Sequence, residues 1–369
     1  MEHQPASPQT AGSRLTSIDA LRGFDMFWII GGDELFRVLG TTLGISFLGY
    51  QMDHAEWEGF HFYDLIFPLF LFIVGVVIPI SLSKYTAPGT SRAPAYRRII
   101  KRSVLLIVLG FVYWGILKFN FPEFRWPGVL QRIGICYFFA SIAVLHLSIR
   151  GQAIFTAILL VGYWMILLLI PAPGFQAGDL TMGGNLAGYL DRLILPGKFC
   201  CYTFGDNEGI LSTIPAIGTA LLGAMTGHWL RSGRSQASIL KGLVGGGAVC
   251  LAVGYLWWPL FPVIKNIWTS SYVMVAAGWS LLLLSLFYYI IDIRSWKRWA
   301  FFFIVIGMNP ITIYLMGRFV SFGRISEFFL GGIAKLVPAA HDIIIVLGVL
   351  ACEWIVLFYL QKNKTFLRV

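Results

Sequence analysis

The chain has 369 residues, of which 57% are hydrophobic, 16% aromatic and only 12% charged. A soluble domain of this length needs far more polar surface, so the composition excludes one and reads as a polytopic membrane protein. The formal net charge of +10 calls for no nucleic acid, because loop topology and anionic lipid account for the excess.

A hydrocarbon core of roughly 30 Å is crossed by about 20 apolar residues in helical form. Open sheets are excluded there, since their backbone groups would stay unpaired in lipid. The sequence therefore predicts an all-α fold of about ten transmembrane helices around a polar cavity. The spans are expected at 18–39, 63–83, 103–118, 128–147, 153–171, 209–230, 242–261, 271–291, 300–317 and 341–361. Residues 18–361 read as one transmembrane domain, between a disordered cytoplasmic tail over 1–17 and a cytoplasmic C-terminal tail over 362–369. The first tail has little basic character and no small-residue cleavage site, so no signal peptide is expected. Seventeen basic residues, among them Lys84, Arg92, Arg97, Arg98, Lys101 and Arg102, fall on one side of these spans and nine on the other. The positive-inside rule then places both termini in the cytoplasm.

In the first span, "DALRGFDMFWIIGGDELF", Arg22, Asp25 and Asp33 fall on one face at about 100° per residue, together with Ile29 and Phe36. Such a stripe suggests a hydrated cavity; the plainer alternative is an Arg22–Asp25 pair that neutralises itself. Asp33 has no evident local partner. Gly31 and Gly32 permit close backbone approach or unwinding. At the entrance of the second span, "GYQMDHAEWEGFHFYDLIFPLFLFIVG" gathers Asp53, His54, Glu56, His61 and Asp64. A neutral imidazole beside carboxylates suits a general base or nucleophile, although a lone interfacial His also serves simply as a snorkelling polar group.

The run from Lys84 to Arg102 follows, explained by topology alone or by anion binding. "RWPGVLQRIG" places Gln131 and Arg132 one turn inside the fourth span. Arg132 there needs a carboxylate or a water cavity, and Asp33, Asp64 or Glu208 would supply the charge. The segments 172–208 and 318–340 carry apolar residues among charges and are expected to lie on the bilayer or cap an outward cavity. Cys200 and Cys201 are expected as two free thiols in preference to a vicinal disulfide, and no metal-ligand spacing occurs. "GDNEGILSTIP" puts Asp206, Asn207 and Glu208 at a helix start, where capping suffices for the first two. Gly223 and Gly227, and Gly242 and Gly246, have the spacing of close helix packing. In "GMNPITIYLMG", Pro310 kinks the ninth span and Asn309 caps the break or meets a substrate.

Together these motifs resemble the membrane domain of the heparan-α-glucosaminide N-acetyltransferase family and its bacterial relatives, over nearly the whole chain after residue 17 and in the family's order. The resemblance implies transfer of acetyl from cytosolic acetyl-coenzyme A to a glucosamine-type amine across the cytoplasmic membrane of a bacterium, without a metal. The family's catalytic His, in an "HAPWNG"-like segment, falls on His54 in "HAEWEG", as base or acetyl carrier. The family typically has Asn where Asp33 stands, a change of charge that bears on substrate choice. On this reading Asp64 orients His54 and Asp33 joins the catalytic group. Arg22, Asp25, Arg97, Arg98 and Arg102 face the coenzyme, while Gln131, Arg132, Glu208 and Asn309 meet the acceptor. The partners are acetyl-coenzyme A, an amino sugar, the bilayer and a second copy in a homodimer. A sugar permease is the competing class, since polar midspan residues and kinked helices also mark transporters.

Overall fold

The computed structural model describes residues 15–86 and 89–367. Of the tail expected over 1–17, residues 1–14 lie outside the described residues, and Thr16 and Ser17 already belong to the first helix. The chain folds into α1 (Thr16–Phe27), α2 (Asp33–Leu43), α3 (Ser46–Met52), α4 (Ile66–Leu82), α5 (Ala93–Trp114), α6 (Val129–His146), α7 (Ile149–Leu169) and α8 (Leu186–Ile194). A two-stranded hairpin, β1 (Cys201–Tyr202) and β2 (Gly205–Asp206), is the one sheet among the described residues. There follow α9 (Thr213–Leu230), α10 (Gln236–Trp257), α11 (Ser270–Phe287), α12 (Ala300–Met308), α13 (Pro310–Phe319), α14 (Phe322–Leu336) and α15 (His341–Lys362).

This is a helical membrane protein. Among the described residues, six helices are long and apolar enough to cross a bilayer, and a seventh span results if α12 and α13, bent by 73°, are taken together. The expected spans 18–39, 103–118 and 209–230 are helical too, but fall outside these six. The first is broken and carries Asp19, Arg22, Asp25, Asp33, Glu34 and Arg37; the second belongs to α5, which opens on basic residues; the third, α9, is built largely of Gly, Ala and Thr.

The helix α4 is apolar on every side and buried on nearly every side, as a central helix must be. Its closest neighbour is α9. A Cβ at Gly223 would lie 2.1 Å from the Phe72 carbonyl oxygen and one at Gly75 2.0 Å from that of Ala220, so only glycine permits this approach. The outer helices α7, α10 and α15 instead expose Ile154, Leu169, Val249, Leu256, Ile355 and Tyr359, an apolar belt fit for lipid. Between α1 and α2 the helix widens and then unwinds at Gly31, whose φ is 133°. Only glycine adopts that conformation freely.

One end of the bundle bears the long loops. There Asp191, buried on α8, accepts hydrogen bonds from Asp206 N at 3.2 Å and Ile210 N at 2.9 Å. Arg125 pairs with Gly197 through the backbone. Cys200 and Cys201 are joined in a vicinal disulfide rather than left as free thiols; the chain enters β1 with Cys201 in a left-handed conformation, φ 82°, a turn that spacing alone does not disclose. Burial pushes the Asp191 carboxyl up to about 6, against the two amides that stabilise its charge. A carboxyl raised in this way contributes stability that is full below its ordinary value near 4 and is lost as pH rises through about 6. Thermal unfolding should therefore show a loss on the order of 3 kcal/mol across that window. Asp191→Asn should flatten that part of the profile, and an unchanged slope would refute the assignment.

Candidate functional site

A cavity of about 210 Å³ opens at the loop-rich end. Its mouth is polar, formed by His54, Tyr63, Arg125, Cys201, Asn207, Glu208, Lys265 and Tyr314. Its deeper wall is apolar: Met26 and Ile29 of α1, Ile66, Phe67 and Phe70 of α4, Val129, Leu130 and Ile133 of α6, and Ile311 of α13.

Residues 53–61 form an irregular loop, which the short turn 62–65 leading into α4 holds from below. Asp64 is fully buried, and its Oδ2 accepts from Ala55 N at 3.2 Å and His61 N at 3.0 Å. Its Oδ1 lies 2.8 Å from His54 Nδ1. A carboxylate can only accept, so Nδ1 donates and Nε2 is the ring's acceptor nitrogen. Tyr272 secures the same turn from α11, donating to the Asp64 carbonyl at 2.8 Å. From the other side comes the loop 258–269. It is zipped to the His54 loop by an antiparallel bridge between Glu58 and Ile264, by Gly59 N to Val263 O at 2.9 Å, and by Trp258 Nε1 to Glu58 at 2.5 Å. This brings Lys265 Nζ within 2.8 Å of His54 Nδ1, 3.1 Å of Nε2 and 3.3 Å of Asp64 Oδ1. One ammonium cannot lie in the ring plane beside both nitrogens, so it rests over the ring. Burial lowers the Lys265 pKa, with the Asp64 and Glu208 charges opposing.

The Arg125 side of the cavity is equally fixed. Arg125 binds Asp206 through Nε at 2.8 Å and Nη2 at 2.5 Å, holds Glu208 with the same Nη2, and lies 4.7 Å over the Trp114 ring. Such a fork on two carboxylates is rigid.

Of the expected residues, the structure brings together His54, Asp64 and Glu208. Asp33 does not line the cavity; it lies beside Tyr63, which does, and 3.6 Å from Arg37. Arg22 lies 3.5 Å from Asp19, not beside Asp25 as the self-neutralising alternative had it. Asp25 is fully buried outside the cavity, and neither carboxyl oxygen finds a hydrogen-bond partner among the described residues. Arg97 and Arg98 are exposed and Arg102 lies 4.5 Å over the Tyr137 ring. They stand at the far end of α5, about 18–25 Å from Trp114 at 1.5 Å per residue. Gln131 turns to the Trp126 carbonyl, and Arg132, expected to find Asp33, Asp64 or Glu208, binds instead the Gly209 carbonyl, the Ser212 hydroxyl at 2.5 Å and the Trp268 face. Neither lines the cavity. Asn309 sits at the α12–α13 bend, where it fastens the C-terminal tail through Thr365 O and Leu367 N. Loop 172–208 caps the cavity; among the residues of 318–340 none lines it, and α14 exposes Phe328, Phe329 and Leu336.

Sequence reasoning missed Lys265, Arg125, Tyr63 and Tyr314. Lys265 and Arg125 stand in loops, and "VIKNIW" offers no motif. Among the described residues no group of three His, Cys, Asp or Glu side chains could hold a metal ion.

The family model described as "Heparan-alpha-glucosaminide N-acetyltransferase, catalytic" matches residues 14–254. The chain is 26% identical over 376 residues to the heparan-alpha-glucosaminide N-acetyltransferase of Mus musculus, covering 85% of this chain and 55% of that protein. It is 28% identical over 364 residues to that of Homo sapiens, covering 82% and 52%. It thus spans about half the length of the curated relatives it matches. His54, Asp64 and Glu208 fall inside the family match; Lys265 and Tyr314 lie beyond it.

Proposed function

Because the chain belongs to the heparan-α-glucosaminide N-acetyltransferase family, we propose that it moves acetyl from cytoplasmic acetyl-coenzyme A to the amine of an amino sugar on the far side of the membrane, with His54 as general base. The observation that carries this reading is the meeting of the His54–Asp64 pair, Lys265 and Glu208 at one cavity whose remaining lining is apolar. Both termini and the Arg97–Arg102 end of α5 lie in the cytoplasm on this reading, in a chain that crosses about ten times.

Acetyl transfer to an amine needs a proton acceptor and a group to stabilise the oxyanion. Nε2 of His54 takes the proton of the attacking amine nitrogen. The nitrogen–carbon bond forms, the carbon–sulfur bond breaks, and His54 returns the proton to the departing thiolate. Asp64 holds the imidazole in the required tautomer. Lys265 stabilises the negative oxygen of the tetrahedral intermediate. Met26, Ile29, Phe67, Phe70 and Ile133 take the acyl arm and keep water from it, while Arg22, Arg97, Arg98 and Arg102 suit the coenzyme's phosphates. Glu208 and Asn207 face the amino sugar. Asp33 acts through Tyr63.

Purified protein given radiolabelled acetyl-coenzyme A and glucosamine should yield labelled N-acetylglucosamine. Sugar accumulation in vesicles without coenzyme A, and no acetylated product, would establish the permease instead. Lys265→Met should lower kcat by about 10²-fold with the acceptor KM little changed, as for loss of an oxyanion donor. A kcat equal to wild type would remove Lys265 from the chemistry.

A further inference from the structure

The proposed transfer makes no use of the Cys200–Cys201 disulfide, yet Cys201 lines the cavity beside Asn207 and Glu208. The bond is tied to the charged wall by an unbroken series of contacts. Cys201 pairs with Asp206 across β1 and β2, and Cys200 N donates to Asp206 Oδ2 at 3.0 Å. Asp206 accepts both prongs of Arg125, and the same guanidinium grips Glu208. Asp191, from α8, accepts from Asp206 N and so fixes the hairpin from below. Two joined sulfurs in neighbouring residues lack the side-chain freedom of two thiols and present a firm, polarisable, weakly polar surface. A sugar ring needs such a surface against its C–H face while its amine and hydroxyls reach polar groups.

We propose that the Cys200–Cys201 disulfide is the wall of the acceptor subsite, packing against an amino-sugar ring whose polar groups reach Glu208 and Asn207, and that opening it weakens the acceptor without affecting the donor. This inference rests on the reading of the cavity as an acetyltransferase site. It also requires the hairpin to face an oxidising compartment, where such bonds persist. The charge bias of the loops assigns it to that same side.

The test uses the full-length protein in nanodiscs. A dithiol opens the bond by giving its two electrons and two protons to the sulfurs, which become thiols while the dithiol closes to its own disulfide. Glucosamine and acetyl-coenzyme A binding are measured by calorimetry before and after, and in the Cys200→Ser/Cys201→Ser double variant. Opening the bond should raise the glucosamine Kd about tenfold, the size of one lost contact, with the acetyl-coenzyme A Kd unchanged. The double variant should match the reduced protein and ignore the dithiol. An unchanged glucosamine Kd overturns the proposal, as does alkylation of residues 200 and 201 in untreated protein. Should the double variant misfold, the reduced wild type decides. Redox-dependent glucosamine binding without acetyl transfer would sink the transfer reading and leave this one; transfer with an acceptor KM indifferent to the bond would do the reverse. No binding of glucosamine to the oxidised protein would overturn both.

Discussion

Substitution of His54 by alanine should lower kcat by about 10²–10⁴-fold, the usual contribution of a positioned general base. The side chain is half exposed at the cavity mouth and bears no part of the buried core, so folding should be spared. Loss of activity then reports chemistry. Steady-state assays with acetyl-coenzyme A and glucosamine should show kcat and kcat/KM falling together, since Nε2 acts on a proton in flight rather than on bound substrate. Donor binding should persist, because the apolar wall proposed to take the acyl arm contains none of the His54 atoms that react. A variant with wild-type kcat would mean that the imidazole at this position is not the base.

Asp64→Asn should cost nearly as much, on the order of 10³-fold or more, through the tautomer rather than through packing. Asn fits the same volume. Its amide oxygen can go on accepting from the Ala55 and His61 amides that Oδ2 now binds. Its NH₂ group must then face His54 Nδ1, which can only accept from it. The ring proton moves to Nε2, and the nitrogen directed at substrate is no longer a base. The substitution also strips Lys265 of its 3.3 Å counter-charge. Rate measurements beside a melting curve separate the effects: the melting temperature should hold while kcat collapses. A large fall in melting temperature with residual activity intact in the folded fraction would make Asp64 a structural cap and no more.

How far the site was legible follows from where its parts lie in the chain. His54 and Asp64 are separated by ten positions and one turn, so a local reading found both, and the polar cluster ahead of an apolar run marked the place. Lys265 reaches His54 from 211 positions away through the Glu58–Ile264 bridge. No spacing rule carries that information. The first helix shows a different limit. Its polar stripe was projected at a constant helical angle through Gly31, but Gly31 leaves the helix at φ 133° and turns everything after it. Ile29, before the break, does line the cavity; Asp33, after it, is swung onto Tyr63 and Arg37. The cavity lining at this helix, Met26 and Ile29, is consequently apolar, whereas the stripe suggests a hydrated one. Among the expected spans, α9 and α5 are helices of sufficient length that do not read as spans by composition alone: α9 is rich in small residues at its contact with α4, and α5 carries Arg97, Arg98, Lys101 and Arg102 in its second and third turns. Arg132 is buried, and a carbonyl, a hydroxyl and an indole face take the place of the expected carboxylate, while its Nε and Nη1 find no hydrogen-bond partner among the described residues.

The proposed transfer carries acetyl across the bilayer to reach His54 from the opposite side. The direct measurement uses sealed vesicles in which the inserted protein has the Arg97–Arg102 end of α5 facing the lumen. Labelled acetyl-coenzyme A is enclosed and glucosamine is supplied only outside. The account predicts labelled N-acetylglucosamine in the external medium, absent from vesicles carrying the His54→Ala variant. Product that forms only when donor and acceptor share one compartment would contradict it.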